Sequence, residues 1–268
     1  MSRRFLVAFL LFWLLMGASA QAEKTKRVLL LGQKRDHPAG THEYMSGLVV
    51  LAKCLQGVPT LETKVVRADD PWPEGPDLIA QCDGIVLYLG EGARWMQSDP
   101  KRQQAIDALA ARGGGIVAVH WAIGARDARY IPAFLRWLGG IHGGPDRKYT
   151  FCETELQVAA PNHPIVRAIQ GFRLKDEFYY RLKFASSGKV VPLLQARIEG
   201  QQETCAWAFE RPGGGRSFGF CAMHNHANWR LVECRRLIAQ GILWSVDLPI
   251  PPNGLSVEVT EEDLRIRP

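Results

Sequence analysis

The chain has 268 residues, 47% of them hydrophobic and 22% charged, with 33 basic against 27 acidic side chains and a formal net charge of +6. That length suits about one large domain whose core is big enough to stand without covalent staples. Basic residues are scattered, in pairs at most such as Arg235-Arg236, so the clustered footprint of a nucleic-acid binder is absent from the sequence.

The chain opens on MSRRFLVAFLLFWLLMGASAQA, with Arg3 and Arg4 ahead of an apolar run from Phe5 to Met16 and small residues at Ala18-Ser19-Ala20. A basic start, an apolar stretch and an A-x-A-like site describe a secretory signal over residues 1–22, cut after Ala20 or Ala22. The apolar run is shorter than the roughly 20 residues a spanning helix needs. The expected product is an exported protein, periplasmic or secreted, carrying no membrane segment after cleavage. Without the two leader arginines it has 31 basic and 27 acidic residues, +4. Six cysteines lie far apart with no C-x-x-C pair, so a cysteine-built metal cluster is not expected and disulfide pairing is not readable.

From there strands and helices alternate. RVLLLG (27–32) is a strand, EYMSGLVVLAKCLQG (43–57) a helix, and ETKVVRA (62–68) and CDGIVLYLG (82–90) are further strands. SDPKRQQAIDALAARGGG reads as a helix with Ser98 as N-cap, Pro100 in its first turn and a glycine stop, leading into the strand IVAV. Such alternation predicts right-handed crossovers and a mostly parallel sheet covered on both faces. After a helix near RYIPAFLRWLGG the rhythm changes to strand-like runs: FCETELQVA, DEFYYRLKFA, VVPLLQA, TCAWAFER and RSFGFCA. A strand follows Gly213-Gly214-Gly215, so those glycines predict a hairpin turn and not a phosphate loop. A last helix near NWRLVECRRLIAQGILWSV closes the domain over residues 23–252, and a proline-rich tail occupies 253–268.

His120 follows the strand IVAV and precedes Trp121-Ala122-Ile123-Gly124. That is the strand–turn–helix context of a nucleophile elbow, with small residues, Ala118 and Ala122, two positions to either side of the apex. The carboxyl end of a parallel strand is also where open α/β sheets place their ligand crevice. The other histidines cluster at similar places. His37 and His42 lie in the loop after the first strand, and His224 and His226 lie just past another, two apart, so an extended backbone aims both to one side. His142 sits in a glycine-rich loop, whereas His163 in NHPI reads as an ordinary turn residue. Converging imidazoles bind a divalent metal ion or carry protons near neutral pH. The candidate ligands are His37, His42, His120, His224 and His226.

Asp176 and Glu177 are adjacent on a strand and face opposite sides, so one enters the crevice and the other meets solvent or an arginine. Glu43 and Glu91 are further acidic candidates. His120, His42, His224, Asp176 and Glu177 form the expected catalytic set, with Glu91, Trp95, Trp121 and Tyr179 as substrate-facing groups. Trp229 has the same flat shape, but most such aromatics serve the core.

The motifs DHPAGTHEY, GEGARW, RGGGIVAVHWAIGA, GGIHGGPDRKY, NHPI, DEFYYRL, AWAFERPGGGRSFGF and HNHANW, in this order, resemble the trehalose-utilisation (ThuA-like) family in its exported branch, over roughly residues 27–252. The resemblance implies a flavodoxin-like three-layer α/β sandwich related to class I glutamine amidotransferases, with an antiparallel extension here. It also implies a role in sugar catabolism, in some members with 3-keto-sugars. The amidotransferase elbow carries a cysteine, and here the apex is His120, so glutaminase activity is not expected. The expected partner is a small-molecule carbohydrate, acted on as a sugar or 3-keto-glycoside by histidine- or metal-assisted acid–base chemistry. The alternative is a non-catalytic exported carbohydrate-binding module, and a plain sugar hydrolase or isomerase would use the same groups.

Overall fold

The computed structural model describes residues 24–267, so the leader expected over residues 1–22 lies outside the described residues. In chain order the first half runs β1 (Lys26–Gly32), α1 (Tyr44–Leu55), β2 (Leu61–Arg67), α2 (Gly75–Ala80), β3 (Gly84–Tyr88), α3 (Gly92–Ser98), α4 (Pro100–Ala111) and β4 (Gly115–Val119). The second half adds β5 (Gly124–Ala125), α5 (Ile131–Leu138), β6 (Gly140–Gly143), β7 (Lys148–Val158), β8 (Phe172–Tyr180), β9 (Lys183–Phe184), β10 (Lys189–Ile198), β11 (Gln201–Glu210), β12 (Arg216–Phe220) and α6 (Val232–Ser245).

Nine strands form one sheet in the order β2-β1-β3-β4-β12-β11-β10-β7-β8. The first five are mutually parallel, in the flavodoxin-like order with β12 as the fifth strand, and the remaining pairings are antiparallel. β3 and β4 are buried at every residue, as strands covered on both faces must be, which accounts for their unbroken apolar sequence. α1 and α6 pack together beside the sheet, and α2, α3 and α4 form a second group, so the sheet is the middle of three layers. The antiparallel extension is inserted between β4 and β12, and Gly213–Gly215 turns β11 back into β12 as a hairpin.

Two local readings change. Ser98 ends α3, and the N-cap of α4 is Asp99, whose Oδ1 accepts from the Arg102 amide at 2.7 Å. After β4 the chain enters a 3₁₀ turn, His120–Ile123, and then the short strand β5, with no helix directly behind the apex. The elbow itself is present: His120 has φ +54°, in the left-handed region that a side chain rarely adopts. The tail is not loose, because Val257 is buried and its carbonyl accepts from Arg235 Nε at 3.0 Å. Among the described residues no helix is long and apolar enough to cross a membrane.

Strained backbone gathers along one edge of the sheet. His42 (φ +49°), Glu91 (φ +44°), His120 (φ +54°) and Met223 (φ +90°) follow β1, β3, β4 and β12, at the carboxyl ends of adjacent parallel strands. Crowding holds the turn in place: a Cβ on Gly92 would lie 2.1 Å from the Ala122 carbonyl oxygen. Gly92→Ala is therefore expected to displace the 120–123 turn and destabilise the protein by about 2 kcal/mol or more. The check is urea denaturation, where a midpoint equal to that of the unaltered protein would show that the turn has room to spare.

Candidate active site

The imidazoles of His42, His120 and His224 meet in a buried cluster over the β1/β3/β4/β12 edge. His120 Nε2 lies 3.0 Å from His42 Nε2 and 3.2 Å from His224 Nδ1. Glu177, from β8, brings Oε2 to 3.4 Å from His120 Nε2 and 3.3 Å from His224 Nδ1. The Tyr179 hydroxyl stands 3.2 Å from His120 Nε2, and its ring is stacked between His120, at 4.7 Å, and His142, at 4.2 Å.

The outward-facing nitrogens fix the tautomers. His120 Nδ1 lies 3.3 Å from the Cys221 carbonyl, which only accepts, so Nδ1 carries the proton and Nε2 presents a lone pair. His42 Nδ1 lies 2.7 Å from Asp36 Oδ1 and 2.7 Å from the Tyr44 hydroxyl, whose own proton points to Asp36 Oδ2 at 3.4 Å. Burial opposes ionisation of Asp36, but hydrogen bonds from His42 and His37 outweigh it and hold its carboxyl at about 2. Asp36 therefore accepts as a carboxylate, and His42 Nε2 also presents a lone pair. Two lone pairs face each other at 3.0 Å with no proton of their own between them, beside a carboxylate oxygen. Supplying a proton is costly. Burial first, then repulsion from the neighbouring imidazoles, pushes His120 well below the ordinary histidine range, and burial lowers His42 despite Asp36. Donors at these separations, two of them oriented by an outer partner, suit a bound cation of the N/O-liganded class.

Loop 36–42 is zipped to loop 222–226. The His42 amide donates to the His224 carbonyl at 3.0 Å, the His226 amide donates to the Gly40 carbonyl at 2.8 Å, and Thr41 pairs with Asn225. Asp176 holds the second loop from below. Its carboxylate accepts from the amides of Met223 at 2.6 Å and of His224 and Asn225 at 3.2 Å. Neighbours on β8 do face opposite ways, but Asp176 meets neither solvent nor an arginine; it is a buried positioning residue for His224.

The remaining expectations divide. His37 is 40% exposed, shares Asp36 Oδ1 with His42 at 2.9 Å, and lines the mouth of the cavity. His226 turns away, because a 3₁₀ turn begins there, and its Nε2 meets the Leu264 carbonyl at 2.9 Å. Trp121 and Tyr179 line the cavity with Glu177, whereas Glu91 lines an adjoining basin and is paired with Arg126. Trp95 is buried behind the site, its Nε1 donating to the Ala68 carbonyl at 3.0 Å under the Arg102 guanidinium. Glu43 binds Arg35 and the Gly40 amide, Trp229 is core, and His163 accepts from the Ile165 amide as a turn residue. Three further groups belong to the site: Asp36 and the Cys221 carbonyl, which orient imidazoles, and Arg147, which lines the cavity. Asp36 had a signal, an acid beside two histidines, but a carbonyl has none because every residue carries one. All six cysteines are free, and burial pushes the Cys221 thiol well above its usual range, so no thiolate stands at the elbow.

Residues 27–245 match the family model described as trehalose utilisation, ThuA. A solved structure described as ThuA-like, from Bacteroides uniformis, is 14% identical with a TM-score of 0.65, over 85% of this chain and 94% of that one. The glutaminase domain of CTPS from Trypanosoma brucei is 11% identical with a TM-score of 0.50, over 87% and 98%. A GH42 beta-galactosidase from G. stearothermophilus is 11% identical with a TM-score of 0.55, over 84% of this chain and 30% of that one. These likenesses concern the fold. No curated protein matches the chain.

Two outcomes are expected. Asp176→Asn turns an NH₂ group towards amide donors whichever way the amide is placed, at a cost of about 2 kcal/mol, read as a lower urea midpoint. An unchanged midpoint would remove Asp176 from its positioning role. The second concerns pH in metal-free protein. Burial is the main cause lowering His42, His120, His142 (to about 3), His163 (to about 4) and His226 from 6.5. Below pH 6.5 the unfolded chain binds protons that the folded chain refuses, so stability falls as pH falls from 6.5 towards 4. Asp176, raised to about 6 by burial, acts in the opposite sense but is a single group. The urea midpoint is expected to be lower at pH 5 than at pH 7.5, and a higher one at pH 5 would contradict this assignment.

Proposed function

This chain belongs to the ThuA (trehalose utilisation) family, which gives it a carbohydrate-related role, and from that premise we propose that it is an exported enzyme acting on 3-keto-glycosides at a metal centre held by His42, His120 and His224. The observation that carries the reading is the pair of ring nitrogens, His42 Nε2 and His120 Nε2, 3.0 Å apart, with Asp36 and the Cys221 carbonyl on their other nitrogens. Lone pairs on facing imidazoles with a carboxylate oxygen beside them, in a buried site, favour a divalent ion.

Such an ion, when bound, acts as a Lewis acid on the ketone oxygen. Glu177 touches two of the imidazoles and also faces the cavity, which suits it to take the C2 proton that the C3 ketone acidifies. The C2–H electron pair becomes the C1=C2 double bond as the C1–O bond breaks, and the proton held by Glu177 returns to the departing glycosidic oxygen. Water then adds across C1=C2, and the net change is hydrolysis. Burial keeps the Tyr179 hydroxyl protonated, so it can donate to the developing oxyanion. Trp121 and His142 complete the walls.

The purified protein is expected to carry a stoichiometric divalent metal by elemental analysis and to cleave 3-keto-disaccharides in a chelator-sensitive way. His120→Ala is expected to lose the metal, whereas Glu177→Gln keeps it and loses about 10²-fold or more in kcat. Metal-free protein with undiminished turnover would end the metal assignment. Binding of sugars without turnover would leave a carbohydrate-binding module.

A further inference from the structure

Among the described residues only three aromatic side chains are exposed, Tyr149 (59%), Phe151 (61%) and Phe184 (37%), and the first two stand two positions apart on β7. The register of β7 against β8 puts Tyr149 opposite Tyr179 and Phe151 opposite Glu177. Residues directly opposite in an antiparallel pair share a face of the sheet, so both rings extend the surface that carries the site. The contacts agree. The Phe151 ring meets His224 edge-on at 5.1 Å, and Tyr149 meets Tyr179 edge-on at 6.5 Å. β10 ends at Ile198, with Thr154 Oγ1 donating to the Arg197 carbonyl at 3.2 Å, so residues 148–153 of β7 reach past it as a ribbon with β8 beside the cluster.

Exposing two large aromatics has no folding benefit, and adjacent exposed apolar groups mark binding surfaces. The cavity over the cluster is small, about 120 Å³, well under the 300 Å³ or more of a pocket that encloses a whole ligand. Only the reacting part of a glycoside fits inside, and what hangs from its glycosidic oxygen must lie outside the mouth, which Tyr149 lines. We propose that Tyr149 and Phe151 form an aromatic shelf that stacks against the C–H face of the second, departing sugar ring, making the enzyme selective for disaccharides over single-ring glycosides. The shelf rests on the reading above for its substrate class, but its binding does not depend on the metal or on turnover. No cation is needed for a sugar ring to stack on an aromatic face.

The test uses the full mature chain with two probes, trehalose and methyl α-glucoside, and with their 3-keto forms for kinetics. Calorimetry is expected to give trehalose a Kd about tenfold weaker in Tyr149→Ala/Phe151→Ala, with methyl α-glucoside unchanged. In kinetics the same variant raises KM for the 3-keto-disaccharide by about that factor with kcat little altered. Both side chains are exposed, so the variant is expected to keep its fold, checked by its urea midpoint and metal content. Phe151→Leu keeps the apolar surface without a ring face and is expected to weaken trehalose binding, whereas Phe151→Tyr is expected to keep it. Equal losses for both probes, no loss for trehalose, or no trehalose binding by the unaltered protein would each overturn the shelf. So would a dimer, seen by sedimentation, that the double variant abolishes. If trehalose binding depends on the shelf while chelator leaves turnover untouched or no turnover occurs, the shelf stands and the metal-centred reaction fails.

Discussion

The site depends on one backbone conformation, the left-handed turn at His120. At φ +54° the imidazole stands up from the end of β4 with Nδ1 against the Cys221 carbonyl and Nε2 towards His42, His224, Glu177 and Tyr179. An extended residue there would continue the alternation of β4 and send the ring to one flank of the sheet. The strain costs of order 1–3 kcal/mol and is retained only because the surroundings leave no other course. Gly92 packed on Ala122 and the parallel pairing of β4 with β3 and β12 supply that constraint.

Around this apex the two halves of the sheet contribute different chemistry. The parallel half ends in loops that deliver imidazoles, because strand ends at the switch between β1 and β3 leave a crevice. The antiparallel half folds back through β7 and β8 to deliver a carboxylate, a phenol and the buried Asp176. Asp176 and Glu177 are adjacent in sequence and act on opposite faces, one fixing the loop that carries His224 and the other meeting its ring. A single strand thereby couples loop position to the donor set.

Burial gives the cluster its character. Imidazoles in water would each hold a proton part of the time near neutrality, but here desolvation and mutual repulsion keep His42 and His120 neutral, and Asp36 fixes which nitrogen of His42 is free. A glutaminase domain shares this fold, and in this chain the elbow residue is an imidazole with the neighbouring thiol held protonated.

The sequence by itself determined the layers, the parallel half, the hairpin at Gly213–Gly215 and the elbow at residue 120, because these follow from apolar periodicity, glycine placement and short-range sterics. It also brought out His42 and His224, since loops after parallel strands converge, and it offered Asp176 and Glu177 without deciding which enters the crevice. Tertiary structure alone decided that His226 turns to the tail, that Trp95 backs the site, that Asp99 caps α4, and that Asp176 serves as an anchor. It alone revealed Asp36 and the Cys221 carbonyl as the groups that set the tautomers. The reason is physical: periodicity fixes which side of its own element a side chain leaves, whereas its partner 78 or 101 positions away is chosen by how the elements pack.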